Sequence, residues 1–165
     1  MNDSEYICPV PKDQRPLNEY QKLKESNNFV WCIQDKMTFL KSLFYLLVSS
    51  CLGTSLVLVA SSFSFTNNKY FFIYSSLAGI AIVIVLCSRL YLGWQYIYSR
   101  LMEATVPYEE SGWYDGQVWI KPPEVLLQDR LIGTYDVYPG LLRLQITLVS
   151  LLSILLLGVT LIMNT

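Results

Sequence analysis

Three long runs without a charged residue constrain this chain more than anything else in it. Residues 42–68, 70–88 and 144–165 contain no Asp, Glu, Lys or Arg, giving runs of 27, 19 and 22 residues. Crossing the ~30 Å hydrocarbon core of a bilayer takes about 20 apolar residues as a helix. Inside lipid, backbone polar groups must be satisfied within the segment, so runs of this kind are read as helices. The expectation is an all-α membrane protein with three transmembrane helices. A polar N-terminal arm (1–35) comes first, then helix one (36–66) and helix two with an extension beyond the membrane (69–104). A small hairpin-plus-helix module (105–140) leads to helix three (141–163). Ionisable groups inside membrane helices mark ion pathways and proton relays. The three runs have none, which argues against a pump or ion-coupled transporter.

The basic residues set an orientation. Eleven of the 12 Lys and Arg lie in the arm and its junction through Lys41 or in 89–143, and only Lys69 lies between the first two runs. The positive-inside rule places the arm and 89–143 on the cytoplasmic side, or its plastid equivalent, the stroma. The C-terminus then lies across the membrane.

In the arm, Pro9, Pro11 and Pro16 favour extended backbone. Asn18 is expected to cap a short helix, NEYQKLKES, with Glu19 in its first turn. Phe29, Val30 and Trp31 read as an interfacial anchor just before the first span. Cys8 and Cys32 lie in the arm, where a reactive role is conceivable, whereas Cys51 and Cys87 sit in apolar runs and read as packing residues. The start of the sequence has neither an apolar signal-peptide core nor an Arg/Ser-rich amphipathic stretch, so neither a signal peptide nor a transit peptide is expected.

Within the spans, Ser49/Gly53 and Ser75/Gly79 repeat small residues at four-residue spacing, a pattern that lets helix backbones approach. Leu90, Trp94, Ile97 and Leu101 form one helical stripe, so the second helix should run beyond Arg89 to about Ala104. Tyr91, Trp94 and Tyr98 suit a headgroup-level aromatic belt, with a pigment- or quinone-stacking surface as the sharper alternative.

The 105–140 segment should carry the function. Asp115-Gly116 signals a tight turn between Trp113/Tyr114 and Val118/Trp119. Pro122-Pro123 ends the hairpin. From Glu124 to about Tyr135 the pattern is helical, with Leu127, Leu131 and Tyr135 on one face, and Pro139 fits the first turn of the next helix. Trp and Tyr are favoured in binding hot spots, which makes Trp113, Tyr114, Trp119 and Tyr135 the candidate partner-binding residues. Glu109, Glu110 and Asp115, beside Tyr108, form an acidic loop. It would serve acid–base chemistry if one carboxyl were buried, or hold a hard cation. A solvated loop beside a turn is the simpler account.

Little else points to chemistry. The chain has no histidine, which removes the commonest general base and transition-metal ligand. No CxxC pair, GxGxxG, P-loop, GxSxG or HExxH is present. With a net charge of −1, no basic patch suggests nucleic acid. No catalytic residue, cofactor or metal ligand is assigned.

Two stretches, CPVPKDQRPLNEYQKLKES (Cys8 to Ser26) and YEESGWYDGQVWIKPPEVLLQDRLIGTYDVYP (Tyr108 to Pro139), resemble the hypothetical chloroplast reading frame 36 family. These are membrane proteins of plastids and cyanobacteria, known also as a group conserved in the green lineage and diatoms. NNFVW departs mildly from a double aromatic common at that point. Members in land plants carry transit peptides, so this chain resembles the plastid-encoded ones. The resemblance implies a link to photosynthetic fitness under iron limitation and photo-oxidative stress, and no activity, cofactor or catalytic residue. The resulting expectation is a non-enzymatic thylakoid protein, bound to the lipid bilayer and docking a photosynthetic complex. The alternative is a membrane-bound enzyme or metal-handling protein using Glu109, Glu110 and Asp115.

Overall fold

The computed structural model describes residues 10–60, 68–109 and 116–163. Among these are three helices long and apolar enough to cross a membrane: Lys36–Ala60, Phe71–Met102 and Pro123–Met163. In order, the chain forms α1 (Pro16–Glu25), α2 (Asn27–Val30), α3 (Lys36–Ala60) and α4 (Asn68–Met102). Strands β1 (Thr105–Glu109) and β2 (Gly116–Ile120) follow, then α5 (Pro123–Ile132), a π turn (Gly133–Val137) and α6 (Tyr138–Met163). The chain divides into two compact units, the described parts of 1–30 with 94–139 and of 31–93 with 140–165.

In the second unit, α4 contacts both α3 and α6. A Cβ on Gly79 would sit 2.8 Å from Cys51 Sγ and 3.0 Å from Cys51 Cα, so α3 and α4 touch backbone to backbone there. The Thr54 hydroxyl donates to the Ser75 carbonyl at 2.9 Å, and Ser75 Oγ donates to the Cys51 carbonyl at 3.2 Å. Hydroxyls that bond across helices add to close packing by small residues. Of the two glycines singled out by spacing, only Gly79 plays this part; Gly53 has nothing within 4 Å. A four-residue repeat marks a helix face without saying whether a neighbour lies against it. Gly158 of α6 is placed against Leu77 of α4, and Val83, Cys87 and Leu151 form the buried core beside Leu43, Leu47 and Leu148. Where α6 begins, a Gly140 Cβ would lie 2.8 Å from Ile33 Cγ2, and Arg143 Nη1 donates to the Gln34 carbonyl at 2.6 Å.

α4 has 35 residues, roughly 52 Å at about 1.5 Å each, well beyond the thickness of a hydrocarbon core. The stripe Leu90, Trp94, Ile97 and Leu101 is buried throughout. Trp94 is therefore neither a headgroup belt residue nor a pigment-stacking surface. It is wholly buried, its indole N–H donates to the Phe29 carbonyl at 3.1 Å, and the Tyr20 ring meets it edge-on. A buried indole N–H needs an acceptor, and the end of α2 supplies it.

One local expectation is corrected. α1 starts at Pro16, with Arg15 as an extended N-cap residue that makes no side-chain capping bond. The fixed φ of proline pre-organises a first helical turn, so Asn18 falls inside the helix, where its amide donates to the Lys12 carbonyl at 2.6 Å. Pro139 is the second residue of α6, in its first turn as expected, and a π turn joins α5 to that helix. Ile132, Gly133 and Tyr138 all have right-handed helical backbone, and the Tyr138 N–H bonds to the Gly133 carbonyl five residues back. Pro139 lacks an N–H and would crowd the carbonyl four residues before it in an α-helix. The wider π turn immediately ahead of it accommodates the ring without breaking the helix.

Candidate functional site

The first unit is built where α4 ends. β1 and β2 pair antiparallel, Val106 opposite Trp119 and Tyr108 opposite Gln117. Alternation sends Val106, Tyr108 and Trp119 to one face, where they pack on Val10. The Tyr108 hydroxyl donates to Gln117 Oε1 at 2.6 Å. An isolated two-stranded hairpin is marginal in water; contact with the arm gives this one a core.

Lys121, the first residue after β2, is wholly buried. Its Nζ lies 2.7 Å from Asp129 Oδ2 of α5 and donates to the carbonyls of Arg100 (2.9 Å) and Leu101 (3.3 Å). Its backbone N–H bonds to the Ala104 carbonyl. The last carbonyls of a helix lack intrahelical partners and carry partial negative charge. One lysine thus caps α4 and neutralises the buried carboxylate of α5.

Arg100, in the last turn of α4, holds the arm. Its guanidinium donates to Glu19 Oε1 at 3.0 Å, to the Gln14 carbonyl at 3.0 Å and to the Tyr96 hydroxyl at 2.7 Å. Glu19 Oε2 is buried without a hydrogen-bond partner among the described residues. Burial raises the Glu19 carboxyl above its usual range, against the opposing pull of Arg100 and Lys22. One helical position along, the Tyr20 hydroxyl donates to Asp136 Oδ2 at 2.9 Å, and Lys24 Nζ donates to the Tyr20 hydroxyl at 3.0 Å. Arg15, Pro16, Leu17 and Asn18 at the start of α1, with Trp119, Val125, Gln128 and Asp129, line a recess of about 220 Å³.

The residues expected to bind a partner fall in different settings. Trp119 is half-buried on the hairpin's packed face and belongs to the hairpin core. Tyr135 stands on the π turn, 73% exposed. Trp113 and Tyr114 lie outside the described residues. So do Glu110 and Asp115 of the acidic loop, while Glu109 is in β1 opposite Gly116. Among the described residues, no group of three or more His, Cys, Asp or Glu could hold a metal ion. Cys8 is outside the described residues too. Cys32 is wholly buried, and burial, with Cys87 nearby, pushes its thiol up to about 12. Since the thiolate is the reactive form, Cys32 is an inert packing residue and not a reactive one.

The sequence reading missed Lys121, Asp129, Arg100 and Glu19. The first two had a faint signal, opposite charges flanking a Pro-Pro break. The second pair had none, because 81 residues separate Arg100 from Glu19.

Comparison with known proteins agrees with the resemblance carried by the two motifs. The chain is 48% identical over 152 residues to an uncharacterized protein, ycf36, of Pyropia yezoensis, covering 92% of this chain and 91% of that one. It is 46% identical over 158 residues to the uncharacterized protein ycf36 of Cyanophora paradoxa, covering 96% and 98%. With the Arabidopsis thaliana protein named conserved in the green lineage and diatoms 27, chloroplastic, it shares 41% over 144 residues, 86% of this chain and 43% of that one. No solved structure matches. The model of the CGLD27-like family, conserved in the green lineage and diatoms 27, matches residues 8–150, and the chain belongs to that family.

Proposed function

We propose that this is a plastid membrane protein of the thylakoid that docks a photosynthetic complex, as a non-enzymatic factor in its assembly or protection. Three long apolar helices and a relative named as chloroplastic support the plastid membrane. The placement of Lys and Arg favours a stromal arm and 89–143 segment with a lumenal C-terminus.

The observation that carries the docking reading is a contrast within the first unit. It is tied down by buried polar contacts at Lys121 and Arg100, yet it leaves Val118, Ile120, Leu127 and Tyr135 exposed. A firmly held surface with large apolar groups is suited to binding, because little entropy is lost in ordering it. Trp113, Tyr114 and Tyr135 remain the candidate contacts; Trp119 packs against Val10, Val106 and Tyr108.

Gentle detergent extraction, native-size separation and mass spectrometry test this. Migration with a photosystem or cytochrome subcomplex is the expected result, and Trp113→Ala should release the partner while the chain stays in the membrane. A small free species would sink the proposal and turn attention to bound-metal analysis of Glu109, Glu110 and Asp115.

A further inference from the structure

Charge is divided unevenly between the two units. The second holds Lys36, Lys41, Lys69, Arg89 and Arg143 against a single acid, Asp35. The ion pairs found among the described residues lie in the first unit, so among those residues Lys36, Lys41, Arg89 and Arg143 pair with no carboxylate. Asp35 immediately precedes α3, where the helix dipole balances a negative charge.

Packing inside the second unit sets these four cations at one end and at similar depth. Gly79 lies against Cys51, and Val83 and Cys87 pack with Leu43 and Leu47 beyond that contact, so α3 and α4 run antiparallel. Arg89 is ten residues from Gly79 and Lys41 ten from Cys51, about 15 Å along each helix toward the same end. Gly158 likewise lies against Leu77. Arg143 is fifteen residues from Gly158 and Arg89 twelve from Leu77, a difference of only about 5 Å. Lys36 stands about 8 Å beyond Lys41.

Each cation has a large exposed apolar side chain three or four positions nearer the middle of its own helix: Leu40 for Lys36, Phe44 for Lys41, Val85 for Arg89 and Ile146 for Arg143. At that spacing the two side chains share a helix face. Arg143 is the best held of the four. It is half-buried, its Nη1 donates to the Gln34 carbonyl at 2.6 Å, and Lys36 begins α3 two residues beyond Gln34. A guanidinium carries further N–H donors in a planar fork that suits phosphate oxygens.

A soluble anion would meet the charges and leave the apolar neighbours bare. An anionic lipid supplies a headgroup oxyanion and acyl chains together, and basic residues at the edge of apolar helices recognise such lipids. We propose that Lys36, Lys41, Arg89 and Arg143 form a collar that binds anionic lipids, with one headgroup seated between Arg143 and Lys36. This rests on the membrane part of the reading above and not on docking.

The full chain, purified in detergent, is mixed with phosphatidylglycerol or with phosphatidylcholine of the same acyl chains, then followed by native mass spectrometry and thermal unfolding. Phosphatidylglycerol should be retained and should raise the melting temperature; phosphatidylcholine should do neither. Lys36→Gln with Arg143→Gln should cut retention roughly tenfold. Lys69→Gln, about 30 Å along α4 from Arg89, should retain lipid as wild type does. If the double variant fails to fold, Lys41→Gln with Arg89→Gln, both at exposed positions, decides by the same loss. Equal retention of the two lipids, or an equal loss in Lys69→Gln, would overturn the proposal. So would inorganic phosphate or poly-glutamate raising the melting temperature as far as phosphatidylglycerol, since the ligand would then be a free anion or an acidic protein. Release of the chain from its own membranes by alkaline carbonate defeats the membrane reading itself. A chain that resists carbonate but holds both lipids equally defeats this inference alone.

Discussion

Lys121 Nζ lies 2.7 Å from Asp129 Oδ2, with both side chains almost wholly removed from solvent. The ammonium also satisfies two carbonyls at the end of α4, so the pair joins three elements at one buried point. Isolating either charge there is costly, because the desolvation penalty has already been incurred and the partner no longer offsets it.

Lys121→Met should destabilise the protein by about 3–5 kcal/mol, the range for breaking a buried pair by removing one partner. It leaves the Asp129 carboxylate unpaired and two carbonyls uncapped. Adding Asp129→Leu should recover much of the loss. Thermal unfolding in detergent, with limited proteolysis at the hairpin as a local readout, measures both. A single variant as stable as wild type would contradict the pairing.

Gly79 and Gly53 should respond oppositely to the same change. Gly79→Leu drives a side chain into the Cys51 backbone, and overpacking of this kind costs about 1–3 kcal/mol or more. Gly53→Leu meets open space and should leave the melting temperature in detergent unchanged or slightly raised. Equal effects would mean that α3 does not pack on α4 through Cys51.

Glu19 should titrate above the usual glutamate range, because burial outweighs Arg100 and Lys22. A carboxyl whose folded pKa is raised binds protons more tightly when folded. Its contribution to stability is present below the unfolded value of 4.5 and is lost as pH rises through the folded pKa. Over that window the stability of Glu19→Gln should improve relative to wild type as pH rises, and then stay level. Arg100→Met removes the larger opposing charge, so the Glu19 midpoint, followed by isotope-edited infrared spectroscopy, should rise further. A midpoint below 4.5 would mean that charge attraction outweighs burial.

Cys32 should resist thiol reagents in the folded protein. With its thiol pushed up to about 12, almost no thiolate exists near neutral pH, and the side chain is sealed from solvent. Maleimide labelling followed by mass spectrometry should find it unmodified until denaturant is added. Rapid labelling in native membranes would place Cys32 at an open surface.

Trp94→Phe should cost about 1–3 kcal/mol, since it leaves the partly buried Phe29 carbonyl without its indole donor. The loss should appear first as faster proteolysis of the arm, with the three long apolar helices intact. An unchanged cleavage rate would argue that α2 is held by other contacts.

The sequence by itself determined the features written in local periodicity. Three uncharged runs, the stripe from Leu90 to Leu101 and the common face of Leu127, Leu131 and Tyr135 all follow from helical spacing over neighbouring residues. The family was legible in two contiguous motifs. Tertiary structure alone decided what each face meets. Ser49/Gly53 and Ser75/Gly79 look alike as strings, yet only Gly79 has a neighbouring backbone against it. Trp94 and Tyr135 both read as surface aromatics, but one is wholly buried, with contacts to α1 and α2, and nothing in its unit covers the other. Arg100 finds Glu19 across 81 residues and Tyr20 finds Asp136 across 116. Such pairs have no local signature, because their energy comes from burial and geometry that exist only after the distant elements have packed.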